Sequence, residues 1–409
     1  MRDSARLARG VRLRRETFGA IAYVSERDHF YALDHAHVEA LSAGGTPELA
    51  AAGICASDLP QRAFYGRSQF GSFPGGLPAV SLPLVVNCFA TAHCPLRCTY
   101  CHADDLMAGY RDRDEEAWLG EVIRVARATP AMVGVVTGGE PLSRPGRAGR
   151  LIRALARDKA VVLDTSGAGD LGRLVPVLRE CGVHVRISLD SADRAVNDRL
   201  RPINRRYLPL GASSHRSAWD AIGLARAEGL SCSVQTVVTG YNGTLPQLLA
   251  LRDELVAAGV RTWTLHVVVP AGKAANRPPG LLAGDDAVTT LVDVVDDTAT
   301  HGLPLDIRVT STHRAPNSTL LISARGEVAV ERGDGTGKDV MRVGRFAART
   351  RMVRHFRRRV DPAGHAGRYL NGTLDLSSYR LRTGADQGKA WVHPATGVNG
   401  GLDRPSPGA

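Results

Sequence analysis

Leu84-Val-Val-Asn-Cys-Phe-Ala-Thr-Ala-His-Cys94-Pro-Leu-Arg-Cys98-Thr-Tyr-Cys101 sets a short apolar run directly before three cysteines spaced by three and then two residues. The run has the length and composition of a buried strand, so the thiols fall in the loop that follows it. Thiolates are the usual ligands of iron–sulfur clusters, and three of them on a four-iron cube leave one iron open. A structural zinc ion would take a fourth Cys or His. His93 and His102 flank the group and keep zinc as the alternative.

Working outward, short apolar runs alternate with amphipathic helical stretches from Leu84 to Ser311, the signature of a parallel α/β fold. Strands are predicted at Leu84–Ala90, Met132–Val136, Ala160–Asp164, Val183–Leu189, Ser233–Val238 and Thr262–Val269. Between the last two, Leu245, Leu248, Leu249 and Leu255 share one helical face. Six parallel strands suffice for a partial (β/α)6 barrel of the TIM type over residues 84–280, and sites in such folds sit at the carboxyl ends of the strands.

Residues 1–75 read as a small α+β module. VRLRRE, GAIAYV and HFYALDH are three strand-like runs, followed by a helical stretch from His37. A Pro/Gly-rich linker ends at residues 76–83. Strand-like runs return in LDIRVTS, TLLISA and EVAVE, within an expected cap over residues 281–360. Residues 361–409 form a tail whose end, GLDRPSPGA, reads as disordered.

Composition narrows the function. The chain has 409 residues, 44% of them apolar, and no run approaches the roughly 18 apolar residues that span a bilayer. Its N-terminus is charged where a signal peptide would be apolar, so a cytoplasmic protein is expected. Seven cysteines, three of them within eight residues, suit a metal role better than a disulfide framework. The net charge of +11 is spread along Arg-rich faces, with one dense run at Arg349–Arg359. No nucleic-acid motif accompanies that run, so a solvated face or an acidic partner is expected rather than nucleic acid.

The CxxxCxxC spacing, with Tyr100 before its last cysteine, resembles the radical S-adenosylmethionine (SAM) superfamily, and the resemblance extends over roughly Leu84 to Ala275. It implies one [4Fe–4S] cluster on Cys94, Cys98 and Cys101, with SAM chelating the open iron. It also implies reductive cleavage to a 5′-deoxyadenosyl radical that takes hydrogen from a substrate. Val136-Thr-Gly138-Gly139-Glu140-Pro141 is similar to the superfamily's GGE motif, which receives the SAM ammonium; alone, such a sequence is a common turn. Glycine is required where a Cβ would block close approach. The resemblance further implies that Ser166 and Ser188, at the ends of the third and fourth strands, border the SAM site, with Ser188 meeting the ribose. It places Tyr100 towards the adenine. Arg201, three residues after Asp198, is expected on the SAM carboxylate, with Arg199 as its rival.

The stretches Gln235–Asn242 and Trp263–Gly272 resemble the subgroup whose barrel is extended by a SPASM or twitch domain. The last cysteine is Cys232, so no C-terminal auxiliary cluster is expected and the cap reads as a cluster-free SPASM-like extension. The run Arg14–Tyr23 resembles the PqqD-like module that holds the leader of a precursor peptide; a purely packing role is the alternative. The leading expectation is a peptide maturase served by a reducing partner such as flavodoxin or ferredoxin. A radical SAM enzyme acting on a sugar or amino acid is the second reading, and a noncatalytic, metal-stapled binding module the third. Among remaining polar groups, His266 on the last barrel strand reads as a hydrogen-bonded core histidine, with a substrate-facing group as the alternative. Glu327 and Glu331 read as solvent-facing, and Asp104 and Asp105 as helix caps. Cys88, Cys181 and Cys232 read as core filling.

Overall fold

The computed structural model describes residues 7–56, 80–103 and 115–344, with short breaks inside these ranges, and scattered positions beyond 344. Residues 76–79 of the linker, Asp104, Asp105 and most of the Arg349–Arg359 run lie outside the described residues. Within that run Phe356 is buried in the main core.

An N-terminal antiparallel sheet comprises β1 (Val11–Glu16), β2 (Gly19–Val24) and β3 (His29–Leu33), followed by helix α1 (His35–Ser42). The six expected barrel strands follow as β4 (Val85–Thr91), β5 (Val133–Gly138), β6 (Ala160–Thr165), β7 (His184–Ser188), β8 (Cys232–Val238) and β9 (Thr262–Val267). Intervening helices are α2 (Glu115–Ala128), α3 (Pro145–Ala156), α4 (Val175–Cys181), α5 (Arg194–Leu200), α6 (Ser214–Ala227) and α7 (Leu245–Ala257). In α7, Leu248, Leu251 and Leu255 are buried and Leu245 and Leu249 pack at the margin, as the spacing predicts.

The parallel array is wider than six strands. Helix α8 (Ala287–Thr300) leads into β10 (Asp306–Thr310), which pairs parallel with β9. At the other edge β11 (Asn317–Ile322) pairs parallel with β4. Antiparallel pairing then adds β12 (Val328–Gly333) and β13 (Lys338–Gly344), while β14 (Thr373–Asp375) pairs antiparallel with β10. The sheet is thus eleven-stranded, in the order β13-β12-β11-β4-β5-β6-β7-β8-β9-β10-β14. Its central strands carry the α/β architecture of a partial TIM-type barrel. Both extra parallel strands fall on runs that read as strand-like, LDIRVTS and TLLISA; their place in the parallel array was not legible, because an apolar run announces a strand but not its neighbour.

Side chains alternate across each barrel strand. Val185 and Ile187 of β7, Val234 and Val238 of β8, and Trp263, Leu265 and Val267 of β9 pack into the helix-facing core. The opposite face carries polar groups, among them Asp164, Arg186, Gln235 and His266. Glu331 departs from expectation: it is 2% exposed. It shares a face of β12 with Ala329, which packs with Phe89 and Leu321 in a small apolar cluster. Glu327, expected in solvent as well, is half-buried. Cys88 is fully buried, as core filling requires, whereas Cys181 and Cys232 are only partly so.

Candidate functional site

Beyond β4 the thiol loop is pinned on three sides. Gly139 and Glu140 donate their backbone N–H groups to Thr91 and His93, each at 2.8 Å. Arg97 N donates to Pro202 O at 2.7 Å and Thr99 N to Leu200 O at 2.9 Å, tying the loop to the end of α5. Lys273 N donates to Cys101 O at 3.0 Å, bringing in the segment after β9.

These contacts explain the glycine pair. Gly138 has φ +130°, and a Cβ there would sit 2.4 Å from Thr91 O; one on Gly139 would sit 2.1 Å from His93 O. The close approach that excludes a side chain is therefore to the thiol loop itself, where the sequence reading had placed a ligand.

Cys94, Cys98 and Cys101 are half-buried. Burial pushes the Cys94 thiol well up, and Cys98, Glu140 and Cys101 push it further by charge repulsion. Burial also raises Cys98, against the opposing pull of Arg201.

Glu140 is 1% exposed and accepts four hydrogen bonds: from Leu142 N at 3.0 Å, Thr165 Oγ1 at 2.6 Å, Ser166 N at 2.7 Å and Ser166 Oγ at 2.5 Å. Burial raises its carboxyl, and these donors work against the rise. Ser188 closes β7, half-buried, opposite Gln235 in the register.

Arg201 lies at the end of α5, 8% exposed. Its Nη1 donates to Tyr100 Oη at 2.7 Å and stands 3.6 Å from Asp190 Oδ2, while Tyr100 Oη donates to the same carboxylate. Arg201 Nε is buried with no hydrogen-bond partner among the described residues. A guanidinium beside Cys98 that keeps one N–H unused is suited to a carboxylate bound over the thiols. Arg199, the rival, is exposed, with its guanidinium 4.3 Å from the Tyr241 ring centroid. The sequence reading missed Asp190, which is 1% exposed and also accepts from Val237 N at 2.9 Å. Its signal was an acid directly after a barrel strand, where sites gather.

The three thiols, a buried arginine and a buried glutamate thus gather at the carboxyl ends of the strands, where sites in α/β barrels sit. Residues 89–270 match the Radical SAM superfamily, and this part of the chain is a radical SAM domain. Enzymes of that superfamily bind a [4Fe–4S] cluster and SAM, and the donor set and the unused Arg201 N–H fit both.

The chain is 31% identical over 210 residues to GTP 3′,8-cyclase 1 of Pseudomonas aeruginosa, covering 50% of each chain. It is 30% identical over 184 residues to the PqqA peptide cyclase of Streptomyces rochei, covering 44% of this chain and 47% of that one. It thus spans about half the length of these curated relatives. Among solved structures, Streptococcus suis SuiB bound to S-adenosylmethionine superposes with a TM-score of 0.52 at 14% identity, covering 79% of this chain and 82% of that one. The AdoMet-bound enzyme anSMEcpe superposes at 0.51 with 16% identity, covering 69% and 82%. At such identities the likeness is one of fold. Among the described residues no helix is long and apolar enough to cross a membrane.

Proposed function

We propose that the chain is a radical SAM enzyme acting on a ribosomally made precursor peptide. Cys94, Cys98 and Cys101 would hold the cluster, and Arg201 the SAM carboxylate. The backbone of Gly138 and Gly139 would take the ammonium, with Glu140, its acceptor sites filled by four protein donors, holding that turn in place. Ser166 and Ser188 would border the SAM site, Ser188 at the ribose, and Tyr100 the adenine. Bound together, cluster and SAM supply one-electron cleavage of the sulfonium and hydrogen abstraction. The observation that carries this reading is the buried, unused Nε of Arg201 beside the thiol loop.

The peptide substrate is supported by the edge of β3, which pairs only with β2 among the described residues. An extended segment adds readily to such an edge, backbone to backbone. That edge makes residues 1–75 a PqqD-like recognition module in this reading, and β11–β13 the remnant of a SPASM-like cap. Similarity to a PqqA peptide cyclase, and a fold shared with SuiB crystallised with precursor peptide SuiA, point the same way. Flavodoxin or ferredoxin would supply the electron. The relatives that are GTP 3′,8-cyclases favour a second reading, in which the substrate is a small molecule.

Anaerobic reconstitution with iron and sulfide tests the reading. About four irons per chain, 5′-deoxyadenosine formed from SAM and dithionite, and loss of both in Cys98→Ala are expected. One tightly bound zinc and no deoxyadenosine would leave a metal-stapled binding module instead.

A further inference from the structure

Strand β2 is buried along its whole length because it is covered on both faces. Ile21 and Tyr23, with Phe30 of β3, join the barrel core, whereas Ala20, Ala22 and Val24 pack with Val38 and Leu41 of α1. The turn that follows β2 enters the sheet from below. Asp28 has φ +49°, a left-handed conformation uncommon for a residue with a Cβ. Its carboxylate accepts from Tyr23 Oη at 2.7 Å, Arg186 Nη2 at 2.8 Å and Arg186 Nε at 2.5 Å. Its carbonyl accepts from Arg308 Nη1 at 2.6 Å, the Arg27 carbonyl accepts from Arg308 Nη2, and the Glu26 carbonyl from Ser231 Oγ at 3.2 Å. Strands β7 and β10, and the residue before β8, all grip this turn.

The contacts continue upward across the polar face. Arg186 Nη1 reaches Asp164 Oδ1 at 3.5 Å, and Gln235 Nε2 donates to the same oxygen at 3.0 Å. Gln235 Oε1 then faces His266 Nε2 at 2.9 Å. Asp164 accepts, so the Gln235 nitrogen turns to it and the oxygen turns away. An amide oxygen only accepts, so His266 carries its hydrogen on Nε2. His266 alternates with the outward-packed Leu265 and Val267 and therefore faces the lumen. The segment following its strand meets the thiol loop at Cys101.

We infer that the N-terminal module is the floor of the reaction chamber, and that Asp28, Arg186, Asp164 and Gln235 are positioning residues that fix His266 on the chamber wall against the substrate. Substrate in the lumen follows from the radical SAM reading; the floor and the fixed ring do not depend on it.

Nitrogen NMR of the reconstituted holoprotein labelled with ¹⁵N-histidine tests this, with His266→Asn assigning the resonance. The ring is expected as the Nε2–H tautomer. Asp28→Asn and Gln235→Leu are both expected to move its nitrogen shifts, although Asp28 does not touch His266. In hydrogen exchange, Asp28→Asn should speed residues 184–188, 232–238 and 262–267 about tenfold, with 94–101 unchanged. Unchanged His266 shifts, with faster exchange confined to residues 11–33, would overturn the inference. Should Asp28→Asn fail to fold, Tyr23→Phe removes a single hydroxyl and is read the same way, with an effect of about threefold.

Discussion

Arg201 donates to the Tyr100 hydroxyl at 2.7 Å, joining the end of α5 to the thiol loop 101 residues earlier in the chain. Asp190 completes the group, with its side chain fully buried. Arg201→Leu removes the only guanidinium in this group and leaves the Asp190 carboxylate without its counter-charge. A stability loss of about 3 to 5 kcal/mol is expected in chemical denaturation. Calorimetric titration with SAM is expected to show weaker binding by about 2 to 5 kcal/mol. Arg199→Leu should change neither quantity.

Gly139→Ala places a methyl group 2.1 Å from a backbone oxygen, so the loop and the end of β5 must separate. The expected outcome is a chain that reconstitutes with little iron. Gly223→Ala is the matching control, because a Cβ there meets nothing within 4 Å on the exposed side of α6. It should stabilise the protein by about 0.5 to 1 kcal/mol with iron content unchanged.

Histidine 184 is wedged between Ser231 Oγ at 2.7 Å and Ser233 Oγ at 2.8 Å, and burial pushes its imidazole down to about 4. In the unfolded chain the ring titrates near 6.5. As pH falls from about 6.5 towards about 4, the unfolded chain takes a proton that the folded one refuses, so stability declines by up to roughly 3 kcal/mol. Urea midpoints at pH 7.5 and pH 5 should show this fall, and His184→Asn should reduce it, the remainder coming from His29, whose imidazole is also pushed well below its ordinary value by burial. Asp28 contributes nothing in this window: burial would raise its carboxyl, but Arg186 overrides that and holds it well below the usual range, so its contribution is lost only in stronger acid.

Deletion of residues 1–75 does not yield a free barrel. It strips Ile21, Tyr23 and Phe30 from the core and leaves Arg186 and Arg308 without the carboxylate and carbonyls that hold them. Aggregation in size-exclusion chromatography is expected, so survival of activity after truncation does not discriminate peptide from small-molecule substrates. A soluble, cluster-binding fragment 80–409 would show that the module is dispensable to the fold.

The six barrel strands were legible as short apolar runs, nearly continuous in Val133–Val136 and alternating with polar residues in β7, β8 and β9. The cysteines were legible because their spacing is local. Partnerships at long range were not. Asp28 and Arg186 lie 158 residues apart, and nothing in either segment names the other. Glu331 misled for the same reason: its strand alternates as a surface strand would, and only the covering of that face by the Phe89 and Leu321 cluster makes it interior.

The double covering of β2 bears on how such enzymes can be recombined. A recognition module that hangs from a tether can be exchanged like a cassette, carrying its guest preference to a new catalytic body. Here the Asp28 turn and its two arginine clasps, Arg186 and Arg308, form one lock divided between the parts. A graft is expected to succeed only when all three residues travel together, so the two halves of this chain are constrained to diversify as a pair.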